Sequence, residues 1–163
     1  MANTFTQLYV HIVFSVRSRA SLIKDEWREN LHRYITGIVQ NKGHKLLAIN
    51  SMADHIHILV GMKPDTSLSD LVRDIKSNSS KWINEEKSKH GKFEWQEGYG
   101  AFSYSHSQIG DVITYIQNQQ EHHRKKSFRE EYLDFIKKFD IPHDSRYLFD
   151  IEGEAADLNE TSR

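Results

Sequence analysis

The stretch Asp54-His55-Ile56-His57-Ile58-Leu59-Val60, closed by Gly61 and Pro64, decides the fold. Its apolar residues alternate with histidine, which predicts a strand whose successive side chains point to opposite faces. Ile56, Ile58 and Val60 fall on one face and are assigned to a core. His55 and His57 share the other, about 6.6 Å apart along the backbone. Two imidazoles at that spacing can reach one divalent ion. With ten histidines in 163 residues, chance alone supplies roughly 0.6 such pairs, so the pair needs support from elsewhere in the chain.

Upstream, Leu8, Val10, Ile12, Phe14 and Val16 share one parity and predict a first strand; His11 has the outward parity and points toward the same face as the histidine pair. Trp27, Leu31, Tyr34, Ile35, Ile38 and Val39 recur at helical spacing over Glu26–Gln40, and Gly43 ends the run. Leu46-Leu47-Ala48-Ile49 forms a short strand within His44–Met52. Downstream, Ser67 is placed to cap a helix with Leu68, Leu71, Val72, Ile75, Trp82 and Ile83 on one stripe. Ala101–Ser105 reads as a fourth strand. Ser107 is expected to cap a helix from Ile109 to about Lys125, followed by a last helix over Glu130–Phe139.

This order, β-α-β-β-α-β with C-terminal helices, is that of an α+β, ferredoxin-like (split βαβ) fold. An antiparallel sheet carries both main helices on one face, and the opposite face is expected to be open for a site or a partner. One domain over residues 1–149 accounts for the length, with an acidic, flexible tail at 150–163. That tail holds five acids and one base, leaving 21 bases against 18 acids in the rest of the chain. Such a body neither demands a polyanionic partner nor excludes one. No leader or membrane span is visible, so a cytoplasmic location is expected. The absence of Cys excludes disulfides, thiolate metal sites and a thiol nucleophile. Any metal must take His, carboxylate or amide ligands.

A second cluster lies in Asp111-Val-Ile-Thr-Tyr115-Ile-Gln-Asn-Gln119-Gln-Glu-His122-His123. On a helix, Asp111, Tyr115, Gln119 and His122 line one polar stripe, while Ile109, Val112, Ile113 and Ile116 form the docking stripe beside it. By itself this pattern also suits an ordinary amphipathic helix.

A His-hydrophobe-His strand followed some 60 residues later by a helical Tyr-x-x-x-Gln resembles the single-tyrosine HUH transposases of the insertion-sequence-200 type. The resemblance runs from His11-Ile12-Val13-Phe14 through Gly98-Tyr99-Gly100-Ala101-Phe102-Ser103 to His123, and Tyr147-Leu148-Phe149-Asp150 is similar to the tail of stand-alone members. It implies that His55 and His57 bind Mg²⁺ or Mn²⁺, with Gln119 as third protein ligand and Tyr115 as nucleophile. It further implies a metal-dependent cleavage and rejoining of single-stranded DNA near hairpins through a 5′-phosphotyrosine, by a homodimer whose tyrosine helix can complete the partner's site. Arg17, Arg19, Lys76, Lys81, Arg124 and Lys125 are candidate phosphate contacts; each is equally compatible with a solvated surface charge. Trp82 and Trp95 are assigned to packing. Two alternatives share parts of these features: an HUH replication or mobilisation nickase, and a non-catalytic ferredoxin-like module that binds single strands on its open sheet.

Overall fold

The computed structural model describes residues 3–17, 22–87 and 91–143. Its strands are β1 (Tyr9–Ser15), β2 (Lys45–Ser51), β3 (His55–Gly61) and β4 (Gly100–Tyr104). They form one antiparallel sheet in the order β2-β3-β1-β4. Two long helices connect them: α1 (Asp25–Asn41) and α2 (Leu68–Glu86). This is the expected split βαβ arrangement, with β3 inserted between β1 and β2.

Each helix forms where an apolar stripe can be buried. Trp27, Leu31, Ile35 and Val39 are the buried residues of α1, at spacings of four. Gly43, at φ +83°, turns the chain after it in a conformation that L side chains rarely adopt. On α2 the hydroxyl of Ser67 accepts from the Asp70 amide, closing the first turn as expected. The two helices cover Ile12, Phe14, Val16, Ile56, Ile58 and Val60 of the sheet. Fully burying such a side chain contributes roughly 1.5–3 kcal/mol. Trp95 joins this core edge-on to Phe14 and donates its indole N–H to Ser79 Oγ at 2.9 Å. Trp82 stacks on Tyr34.

The opposite face is not open. Three further helices fold back over it: α3 (Ile109–Gln117), the single turn α4 (Gln119–His122) and α5 (Phe128–Lys138). Ile109, Val112 and Ile116 of α3 pack on Ala48 and Leu59. Phe128, Tyr132, Phe135 and Ile136 of α5 pack on Val13 and Phe102. The C-terminal helices carry apolar stripes of their own, and this face is the surface that buries them.

The predicted continuous helix from Ile109 to Lys125 is also broken, at Asn118. The Asn50 side chain donates to the carbonyls of Ile116 and Gln117, drawing them out of the helical ladder. The start differs as well. Ser105, not Ser107, is the cap: it closes a 3-10 turn over His106–Gln108 through a reciprocal capping box with Gln108. The residues proposed for the acidic tail, and Tyr147–Asp150, lie outside the described residues. Among the described residues no helix is long and apolar enough to cross a membrane.

Candidate metal centre and nucleophile

The register of the sheet brings the histidines together. On β1 and β3, Val13 faces His57, Ser15 faces His55 and His11 faces Leu59. All six point to the face under α3 and α5. His55 and His57 therefore stand on the predicted face, but as fully buried residues. His57 Nδ1 lies 2.8 Å from Nε2 of His11, which is equally buried. His55 Nδ1 lies 2.6 Å from the Asp54 carboxylate. Each ring thus has its Nδ1 occupied by a neighbour and its Nε2 turned inward, the orientation that metal-binding imidazoles usually have fixed by such outer partners.

Opposite these nitrogens, α4 and α5 supply the other half of the site. Gln119 is fully buried, with Oε1 3.0 Å from His123 Nε2 and 3.3 Å from His55 Nε2. Glu131, 4% exposed, sets Oε1 at 2.9 Å from His57 Nε2 and 3.3 Å from His123 Nε2. Its Oε2 accepts from the Tyr115 hydroxyl, and from Gln119 Nε2 at 3.1 Å. The ligating atoms of His55, His57, His123 and Glu131 all lie within 4.8 Å of one another. Two donors bound at about 2.1 Å to one ion stand about 3.0–3.4 Å apart. The measured separations fit a shared divalent cation, and the group could hold one.

Burial and charge set the protonation of this group in opposite directions. Burial disfavours a charged His55, but hydrogen bonds to Asp54 and Glu131 outweigh it and raise the ring to about 9. His57 has no such surplus: burial lowers it to about 4 despite Glu131. Glu131 is driven the other way, since the His123, His55 and His57 bonds overcome its burial and hold it far below the usual carboxylate range. Burial, followed by the Glu131 charge, pushes the Tyr115 phenol well above its ordinary value. The resting phenol is therefore neutral.

Tyr115 stands on α3, half-buried, with its ring 4.6 Å from that of His122 and edge-on to His57 at 6.0 Å. A cavity of about 430 Å³ opens beside it, lined by Tyr104, Asp111, Val112, His122, Lys126 and Phe135 among others. The tyrosine helix packs on the sheet of its own chain, with Tyr115 on the same face as the histidine pair. Of the predicted stripe, Asp111 and His122 border this cavity, whereas the break at Asn118 turns Gln119 inward.

The candidate phosphate contacts separate into groups. Arg124 and Lys125 are exposed just beyond α4; Arg124 pairs with Glu121 at 3.7 Å. Arg17 and Lys76 line a different cavity of about 510 Å³, beside α2 and the 92–99 segment. There Arg17 pairs with Glu94, and the Lys76 ammonium donates to the carbonyls of Gln96 and Gly98, both at 2.7 Å. Lys81 is exposed on α2. Arg19 lies outside the described residues.

The fold brings His55, His57, Gln119 and Tyr115 together as the sequence led one to expect, and sets beside them His123 and Glu131, which the sequence had not singled out. The signal for Glu131 was present. Phe128, Glu131, Tyr132 and Phe135 follow i, i+3, i+4, i+7, which places one acid on an apolar stripe.

Comparison with known proteins identifies the family and the fold. The family model described as "Transposase IS200 like" matches residues 4–119. The ISDra2 transposase TnpA of Deinococcus radiodurans is 23% identical over 121 residues, covering 71% of this chain and 86% of its own length. Two solved structures share the fold. One is a candidate transposase from Deinococcus radiodurans, with TM-score 0.57, 23% identity and coverage of 73% of this chain and 95% of its own. The other is a REP-associated tyrosine transposase bound to a REP hairpin, with TM-score 0.57, 15% identity and coverage of 76% and 73%. The chain belongs to the IS200-like transposase family.

Proposed function

We propose that this transposase cuts and rejoins single-stranded DNA beside hairpins, with Tyr115 as nucleophile and a 5′-phosphotyrosine as intermediate. One juxtaposition carries the reading: the Tyr115 hydroxyl is held by Glu131, whose other oxygen lies 2.9 Å from His57 in the buried cluster. A phosphodiester entering the cavity beside Tyr115 would meet the phenol, His123 and Glu131, with the buried His55–His57 pair behind Glu131. Tyr115 Oη then bonds to phosphorus as the bond to the 3′ oxygen breaks; the phenolic proton passes to solvent, and the departing 3′ oxygen takes one from solvent. The phosphotyrosine conserves the energy of the broken bond, so a 3′-hydroxyl can reverse the attack and join strands.

His55, His57 and Gln119 would hold Mg²⁺ or Mn²⁺, which when bound supplies Lewis-acid polarisation of the phosphate. The chain's own residues orient the reaction: Asp54 and His11 fix the two ring orientations, and Gln119 spans the histidines and the nucleophile helix. Arg124 and Lys125 stand where a strand approaching the cavity would pass, with Arg17, Lys76 and Lys81 contacting phosphates further out; Arg19, outside the described residues, is retained as a candidate from the sequence alone. Hairpin DNA as substrate is carried over from the relative captured with a REP hairpin. A sheet-surface binding module has less support, because α3 and α5 cover the face it would use.

The test uses 3′-labelled single-stranded oligonucleotides carrying the hairpins that flank the gene, incubated with the full chain and Mn²⁺ or Mg²⁺. A denaturant-stable labelled adduct is expected, lost with EDTA and in Tyr115→Phe. An adduct that persists in Tyr115→Phe refutes the nucleophile assignment.

A further inference from the structure

The family match ends at residue 119, yet two side chains of the buried cluster come from beyond it: His123, just after α4, and Glu131 on α5. Glu131 is the only acid among the buried residues of its helix, whose docking is otherwise made by Phe128, Tyr132, Phe135 and Ile136. An apolar residue at that position would dock α5 as well or better, since a buried charge must be compensated before it stabilises anything. What Glu131 faces accounts for its presence.

Three imidazole nitrogens converge on one of its oxygens: Nε2 of His57 at 2.9 Å, of His123 at 3.3 Å and of His55 at 3.5 Å. A single carboxylate oxygen has two lone pairs and cannot accept three such bonds in good geometry. The amide oxygen of Gln119, another pure acceptor, is aimed at two of the same nitrogens. A protonated imidazole nitrogen can donate to either oxygen, but the two oxygens cannot satisfy all three rings in good geometry; with the nitrogens deprotonated, every one of these atoms can instead donate a lone pair to a cation placed among them. We propose that Glu131 and His123 are protein ligands of the divalent cation, completing from the C-terminal extension a site that His55, His57 and Gln119 begin. The inference rests on the reading of this site as a transposase metal centre. It adds a consequence: through Oε2 of the same carboxylate, the nucleophile Tyr115 is tied to the cation site by a single side chain.

Mn²⁺ is the suitable probe, because imidazole-rich donor sets accept it more readily than Mg²⁺, which prefers oxygen ligands. Titrating the full chain with Mn²⁺, followed by the loss of the free-ion EPR signal, should give one bound ion per chain. Glu131→Gln keeps the shape and a hydrogen bond to Tyr115 but removes the charge. It should weaken Mn²⁺ binding by about tenfold or more, since even outer partners of metal ligands have effects of that size. His123→Gln, at a position nearer solvent, should weaken it too, and pulsed EPR should count one imidazole nitrogen fewer than in the wild type. Circular dichroism of the metal-free variants separates lost binding from lost folding. Unchanged affinity in the folded variants, or a wild type that binds no Mn²⁺, overturns the inference. A wild type that binds Mn²⁺ but never forms the DNA adduct overturns the proposed phosphotyrosine chemistry and leaves the ligand assignment standing.

Discussion

His32, on α1 and outside the cluster, shows how much a single residue's surroundings decide. Its Nε2 lies 2.7 Å from Ser51 Oγ, and burial, with Arg28 adding to it, lowers the ring to about 4 from 6.5. The unfolded chain therefore binds this proton first, and stability should fall as pH drops from about 6.5 to about 4. Allowing for partial exposure, the effect of this one ring is about 2 kcal/mol. Thermal melts across that window should show a shallower pH dependence in His32→Gln than in the wild type; parallel profiles would refute the assignment. At the same scale, the histidine pair was legible because strand alternation is a local property: the face of His55 and His57 follows from Ile56 and Ile58. Glu131 was not, because a carboxylate on an apolar stripe acquires meaning only once the stripe has been docked against three imidazoles.

The elements follow the same division. β1, α1, β2, β3 and α2 appear close to where periodicity places them, each having one polar and one apolar side. The break at Asn118 was illegible because its cause, the Asn50 amide on β2, is remote in sequence. So was the covering of the second sheet face, since nothing local tells an apolar helix which surface it will bury. α5 lies very close to β4 at Gly100, where an added Cβ would stand 2.6 Å from the Tyr132 ring. Gly100→Ala must therefore displace α5 or bend β4, an overpacking that costs about 1–3 kcal/mol. A chain of this size should melt about 2–12 °C lower, with faster amide exchange in α5 and little change in α1. An unchanged melt would mean that Tyr132 moves aside freely and that α5 is loosely seated.

For the whole molecule, the question is which chain's tyrosine serves which histidine pair. The resemblance implies a homodimer in which the tyrosine helix can complete the partner's site. Here α3 follows β4 after a single 3-10 turn, its apolar stripe is buried on Ala48 and Leu59, and Asn50 fastens its end to β2. Exchanging α3 between subunits would break these contacts or require the partner to replace every one. Glu131 adds a further tie, joining Tyr115 to the histidines of the same chain. Attack in cis is the expected outcome, and it can be read from mixed chains. His57→Ala lacks one of the proposed metal ligands and Tyr115→Phe lacks the proposed nucleophile, so neither should form a DNA adduct alone. If each tyrosine serves its own chain, mixing the two variants restores nothing, because every site still carries one of the two defects. If the helix crosses between subunits, a mixed dimer holds one site with intact histidines from one chain and an intact tyrosine from the other. Recovery of the denaturant-stable adduct on mixing would therefore overturn the cis assignment, with the wild type measured alongside at the same total concentration.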